Sequence, residues 1–360
     1  DKPVCYCTSG TSEKTLIVEM KKIICSLLFS VALAGISTAQ DANFSQFFAS
    51  PLTMNPALTG KFDGIYRVAG NYRNQWPTIN NAFVTKTISI DFGILKNSIP
   101  EIDQLGIGFM GFTDRAADGV LTTNYASFSL AYHKGLDENG NHQIGAGFQG
   151  TYVSKRLDVS KVFFEDQLTP LGFTGVTNEI FTASQVNVKY FDLNAGLLYN
   201  GSTNGYNNFY FGASMYHLNR PKESFQGGQF LLNPRVTLQA GGKIPVGPYN
   251  YIHFSTNYSF QANAKNFLVG GAFALNLNNS DMENPINLYL GSWARFSNVS
   301  DAYIPYIGLE FNSIHFGYTY DVNVSSLKPA SNSVGGNEIS LIFIKKPIDP
   351  NAKKLNCPKF

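Results

Sequence analysis

The chain has 360 residues, 44% of them hydrophobic and 14% aromatic but only 14% charged, with a formal net charge of +2. A mean hydropathy of -0.09 in so aromatic a chain excludes a bundle of membrane-spanning helices, and no run after residue 40 approaches the roughly 18 apolar residues that one such helix needs. No basic tract or basic-aromatic stripe accompanies the small positive charge, so nothing indicates a nucleic-acid partner.

Met20 is followed by Lys21 and Lys22, an apolar stretch from Ile23 to Ile36, and Ser37-Thr38-Ala39 before Gln40. A basic start, a short apolar core and small residues at the end are the grammar of a secretory signal peptide. Cleavage near Ala39 is expected to leave Gln40 or Asp41 first, and residues 1–19 then read as translated upstream sequence or a misassigned start, against the alternative of a real amino-terminal extension. Cys5, Cys7 and Cys25 precede the cleavage point, which leaves Cys357 without an internal disulfide partner. Cys25 follows bulky Ile24 and is not placed for lipidation, and Cys5-Tyr6-Cys7 has no metal-binding partner at a useful spacing.

The stretch 40–64 is too irregular for a strand, carries Phe44, Phe47, Phe48 and Leu52, and is expected to fold back as a lumen plug or to form a periplasmic foot. From about residue 65 to residue 345 the pattern changes to strict alternation. Ile144, Ala146, Phe148, Gly150 and Tyr152 oppose Gln143, Gly145, Gly147, Gln149 and Thr151, and Phe128, Leu130 and Tyr132 oppose Ser127, Ser129 and His133. Phe191, Leu193 and Leu197 oppose Asp192, Asn194 and Gly196, while Ile252, Phe254 and Tyr258 oppose His253, Ser255 and Asn257. A period of two places these sets on opposite faces of a pleat. One face is aromatic and aliphatic; the other is Gly, Ser, Asn and Gln with few charges, which suits a confined wet lumen better than an open surface. This is the pattern of a transmembrane antiparallel β-barrel, with a soluble β-sandwich or propeller as the alternative that also alternates.

Turn signals divide the body into strands near 65–73, 83–91, 105–113, 121–133, 142–154, 188–199, 207–216, 229–243, 249–259, 265–277, 284–294, 303–311, 313–321 and 336–345, about fourteen in all. An even number brings both ends to one side, the periplasm in bacterial barrels. The loops Lys155–Asn187, His217–Gly228 and Val322–Gly335 then lie outside, and the short Ile244–Pro248 and Asn312 turns inside; Phe92–Gln104 is long for an inner turn and raises the chance of a miscounted early strand. The tail Lys346–Phe360 carries Pro347, Pro350 and Pro358 and cannot be barrel wall; it is expected in the periplasm, open to a partner or simply disordered.

Chemistry is sparse. Gly106-Ile-Gly108-Phe-Met-Gly111 and Gly145-Ala-Gly147-Phe-Gln-Gly150 match a dinucleotide fingerprint, but both run on with strand periodicity instead of opening a helix that could hold a pyrophosphate. His133, His142, His217, His253 and His315 fall singly, with no metal-site spacing. Lumen-facing His133, His253 and His315 leave room for a barrel hydrolase only if one meets a serine. Asp137-Glu138-Asn139-Gly140-Asn141 reads as a hairpin turn rather than a calcium loop. No catalytic residue, cofactor site or metal site is indicated.

The opening QDANFSQFFASPLTMNPALTG, with Met54-Asn55-Pro56-Ala57-Leu58-Thr59-Gly60 at its heart, and the Arg73-Asn74-Gln75-Trp76 that follows closely resemble the PorP/SprF family of type IX secretion system membrane proteins from Bacteroidetes. Phe191–Tyr199, the stretch Gly212–Phe225 and Glu338-Ile339-Ser340-Leu341 also look like family landmarks, with Asn337 a departure where His is usual. The resemblance covers essentially the whole chain after the signal peptide. It implies an outer-membrane barrel similar in architecture to the long-chain fatty-acid channel (FadL-like), set in outer-membrane lipid and working with the type IX export and gliding machinery. It makes Asn55, Pro56, Gly60, Arg73 and Trp76 motif positions. It also implies partners: a large exported surface protein with a type B carboxy-terminal domain in the gliding branch, or periplasmic type IX components in the secretion branch. The protein thus reads as a docking platform, with Phe163, Phe164, Leu171 and Phe173 of the longest loop as candidate partner contacts unless that loop folds inward as a lid. The rival is a channel for hydrophobic or small solutes.

Overall fold

The computed structural model describes residues 41–94, 100, 103–170, 172–225, 228–278, 285–297 and 300–346. The expected signal peptide, Leu171 and nearly all of the carboxy-terminal tail, Cys357 included, lie outside the described residues.

Fourteen antiparallel strands close into a barrel. They are β1 (Tyr66–Gln75), β2 (Phe83–Ile94), β3 (Gln104–Ala116), β4 (Leu121–Gly135), β5 (Gln143–Leu157), β8 (Asn187–Gly201), β9 (Asn208–Tyr216), β10 (Arg235–Val246), β11 (Asn250–Gln261), β12 (Ala264–Asn276), β13 (Ile286–Ser297), β14 (Ala302–Phe311), β15 (Ile314–Asn323) and β16 (Val334–Lys345). Two short strands, β6 (Leu168–Thr169) and β7 (Gly172–Phe173), form a separate hairpin in the loop between β5 and β8. Consecutive wall strands pair, and β16 returns to β1 from Tyr66↔Lys345 to Gln75↔Gly336. Closure leaves no free sheet edge and satisfies the backbone where water is absent.

The alternation sets the two faces. Along β5 every second residue from Gln143 to Thr151 is buried, while Ile144, Phe148 and Tyr152 between them are exposed. Phe148 is 67% exposed and Ile88 64%. In a bilayer that surface meets lipid, and the aromatic and aliphatic composition of the face follows from it.

The long connection between β2 and β3 costs no strand. The expected eighth strand, however, begins at Arg235 rather than at 229. Pro234 just before it has no backbone donor for a ladder, and Leu231 instead bridges Lys222 within the loop.

Candidate functional site

Residues 44–62 lie inside the barrel, because their partners are lumen-facing residues of strands all round the wall. Two prolines and an asparagine shape the segment. Pro51 opens the helical turn Pro51–Met54 and Pro56 opens the turn Pro56–Leu58, positions where a missing backbone donor costs nothing. Asn55 caps the second turn by accepting from the Ala57 N–H at 2.8 Å. Gly60 then turns with φ of +69°, open to glycine without strain.

The wall answers the segment's backbone group by group. The Leu52 carbonyl accepts from the Tyr216 hydroxyl at 3.0 Å and the Gln149 amide at 3.1 Å. Ser214 donates to the Met54 carbonyl at 2.7 Å, and Arg235 to that of Thr53 at 3.3 Å. Asn55 in turn donates to the Leu197 carbonyl of β8 at 3.0 Å. Buried polar groups are thus paired across the lumen, as a dry site demands.

Glycines make the seat. A Cβ on Gly147 would strike the backbone of Pro56 and Ala57, one on Gly196 the Asn55 side chain, and one on Gly106 the backbone of Thr59. These are backbone or capped groups that cannot swing aside. Apolar contacts complete the fit: Phe48 lies 4.9 Å from the Trp293 ring and 5.7 Å from that of Tyr306, in a cluster with Ala57, Leu58, Leu198 and Ile304.

Charge holds both ends. Towards the rim where the barrel strands begin and end, Asp91 takes Arg67 at 2.8 Å and the Gly60 N–H at 2.8 Å, and Arg67 also donates to the Leu58 carbonyl at 3.1 Å. Towards the opposite rim stand two guanidiniums and two carboxylates. Arg73 meets Asp321 at 2.8 Å and Glu338 at 3.1 Å, and Arg295 meets Asp321 at 2.7 Å. The head of the segment joins this cluster. Glu338 accepts the backbone N–H of Ser45 at 2.7 Å and of Gln46 at 3.0 Å, while the Ser45 hydroxyl donates to Asp321 at 2.7 Å. All four charged side chains are 5% exposed or less, so they depend on one another.

The structure therefore brings together four of the five motif positions, Asn55, Pro56, Gly60 and Arg73, along one buried segment and its wall. Trp76 stands apart in the β1–β2 turn with φ of +52°, its ring 5.8 Å from that of Phe83. Sequence reasoning did not single out Asp321, Arg295, Arg67 or Asp91. The signal was available: each is a charge on a lumen face otherwise made largely of uncharged residues. Of the lumen histidines, His133 lies 3.4 Å from the Thr59 carbonyl, His315 2.8 Å from the Tyr306 hydroxyl, and His253 against the rings of Tyr251 and Tyr289.

The long connection between β5 and β8 presents the other candidate residues. Phe163 and Phe173 are 71% and 55% exposed, with rings 5.0 Å apart. Phe164 is half-buried against Phe181 at 5.4 Å. Val176 and Ile180 are exposed as well. Asp166 ties the loop by accepting from the Thr177 hydroxyl at 2.9 Å and the Asn178 N–H at 2.6 Å.

A family model, "Type IX secretion system membrane protein PorP/SprF", matches residues 36–343. The chain belongs to that family. It is accordingly an outer-membrane β-barrel of the type IX secretion system, a machinery whose components it works among. No curated protein matches the chain. Among solved structures it is similar to the Ralstonia pickettii toluene transporter TbuX, at 10% identity and a TM-score of 0.42, covering 82% of this chain and 92% of that one. It is similar also to a Pseudomonas aeruginosa FadL homologue, at 11% identity and a TM-score of 0.41, covering 80% and 91%. CdiB from Acinetobacter baumannii gives 8% identity and a TM-score of 0.43, covering 77% of this chain, which spans 59% of the CdiB chain.

Proposed function

We propose that this PorP/SprF barrel is a surface anchor, which docks a large exported partner, such as a protein with a type B carboxy-terminal domain, through its outer loops while residues 44–62 keep its lumen shut. The observation that carries this reading is the division of labour in the molecule. The lumen, where a channel would pass solute, is filled by a segment hydrogen-bonded to the wall from Ser45 to Gly60. The exposed apolar side chains beyond the wall are most numerous in one loop, on Phe163, Leu168, Phe173, Val176 and Ile180, with a smaller group on Leu218, Phe230 and Leu231 of the β9–β10 loop. Exposed aromatic clusters of this kind are the anchors of protein interfaces. That loop springs from the rim opposite the barrel's two chain ends, the outer rim of bacterial barrels. At the foot of that loop the Glu223 carboxylate of the β9–β10 loop accepts from Tyr190 at 2.9 Å and pairs with Lys155, which ties the ends of β5 and β8 together.

The test replaces residues 159–185 with a short Gly-Asn turn and follows the exported partner on whole cells. Loss of surface retention with unchanged barrel abundance is the expected result. Normal retention by a folded loop-replaced barrel would overturn the docking role.

A further inference from the structure

The registers of β2, β3, β4, β5 and β8 align their outward-facing residues in rungs. Nearest the outer rim runs Val84, Arg115, Thr122, Arg156, Asn187. The next is Lys86, Thr113, Asn124, Ser154, Lys189, and below it Ile88, Gly111, Ala126, Tyr152, Phe191. The wall thus changes from basic and hydroxyl-bearing to wholly apolar within one step of two residues, about 7 Å. At the step lies a groove of about 730 Å³ on the lipid side, walled by Ile88, Phe109, Phe128, Tyr152 and Phe191 and floored by Gly111 and Gly150.

Four cations cluster in this sector, whereas elsewhere at this height Lys265 of β12, in register with Phe260, stands exposed among apolar neighbours. At the same level β10, β11, β13, β14 and β15 turn Val236, Phe260, Phe296, Tyr303 and Tyr320 outward. Arg115 and Lys189 are exposed and form no ion pair among the described residues. Lys86 lies 5.6 Å over the Tyr72 ring. Arg156 has Asp158 nearby, but that carboxylate accepts from the Ser160 hydroxyl at 2.6 Å. A cluster of exposed cations directly above an apolar trough is complementary to a molecule with anionic phosphate at one end and acyl chains at the other.

We infer that this sector of the outer wall is a binding site for a phosphorylated, multi-acylated glycolipid of the outer leaflet. Its acyl chains lie in the Gly111 groove and its phosphates against Lys86, Arg115, Arg156 and Lys189. The outer leaflet is fixed by the even strand count, which puts these rungs at the rim away from the chain ends. Such a lipid, held at the foot of the β5–β8 loop, forms part of the surface that a partner meets.

The full-length protein in phosphatidylcholine nanodiscs is titrated with diphosphoryl lipid A, with dephosphorylated lipid A and with a diacyl phosphatidylglycerol, and retained lipid is read by native mass spectrometry. The expected result is near-stoichiometric retention of diphosphoryl lipid A alone. Retention falls about tenfold or more when Lys86, Arg115, Arg156 and Lys189 are all changed to Gln, and falls again in Gly111→Phe. That substitution fills the groove where a Cβ has only Ile88 Cγ2, 3.6 Å away, as neighbour. Heat-dependent gel mobility confirms that each variant is folded; should the fourfold variant not fold, the lipid comparison and Gly111→Phe decide. Equal retention of dephosphorylated lipid A, wild-type retention in either folded variant, or phosphatidylglycerol bound as tightly as lipid A would overturn the assignment.

Discussion

Asp321→Asn removes one charge from a cluster in which two guanidiniums balance two carboxylates. Arg73 keeps Glu338 at 3.1 Å, but Arg295, paired with Asp321 at 2.7 Å, is left as a buried cation without a carboxylate in contact. The Ser45 hydroxyl loses an ionised acceptor as well. Breaking a buried pair on one side costs about 3–5 kcal/mol. Because Ser45 and Gln46 dock directly on the cluster, the cost falls on local detachment of the segment's head before it falls on the barrel. A cysteine at Ala49, a position 1% exposed, in an otherwise cysteine-free background reports that opening. A loss of about 3 kcal/mol raises maleimide labelling about a hundredfold, while the heat-dependent gel mobility of the barrel stays near wild type. The double variant Asp321→Asn, Arg295→Gln removes the stranded cation too and is expected to label more slowly than the single one. Equal labelling of wild type and Asp321→Asn would refute the claim that this cluster holds the head.

Gly147→Ala places a methyl against the Pro56–Ala57 backbone, and overpacking of this kind costs about 1–3 kcal/mol; Ala49→Cys labelling should rise, whereas Gly111→Ala, on the lipid face, should leave it unchanged. Hydrogen exchange in residues 158–186 should depend on acidity. The Asp166 carboxyl is held below the usual carboxylate range chiefly by the Asn178 N–H, against the opposing effect of desolvation and with help from the Thr177 hydroxyl. A lowered folded-state pKa means that its contribution is present above the ordinary carboxylate range and is lost as pH falls through the lowered value. Exchange should therefore quicken only in acid, and Asp166→Asn should abolish that dependence. Asn55→Ala takes the side-chain acceptor from the Ala57 N–H and the Asn55 donor from the Leu197 carbonyl and should cost about 1–3 kcal/mol in thermal unfolding, more than Trp76→Phe at the rim.

The wall was legible in the sequence almost strand by strand, because a pleat between lipid and a polar lumen enforces a period of two at every position. Its failure at 229–234 has a local cause, since Gln229-Phe230-Leu231-Leu232 carries apolar residues yet ends on Pro234. The lumen was less legible. The stretch 40–64 offered no periodicity, as its conformation is dictated by long-range partners such as Glu338 and Gly147 rather than by neighbours. Yet Gly106, Gly147 and Gly196 already stood on the lumen face, and their crowding is the imprint of the segment they receive. The cluster of Arg73, Arg295, Asp321 and Glu338 joins residues up to 265 positions apart in sequence, which no local pattern can announce. The groove at Gly111 needed the strand registers, since its rungs run across five strands.

A barrel that serves as an anchor rather than a channel requires a shut lumen. Single-channel recording of the purified protein in planar bilayers tests it most directly. The intact protein is expected to show no steady conductance, and to give ohmic openings once residues 44–62 are replaced by a Gly-Ser linker. Steady conductance from the intact protein, unchanged by that replacement, would contradict it and make the barrel a channel.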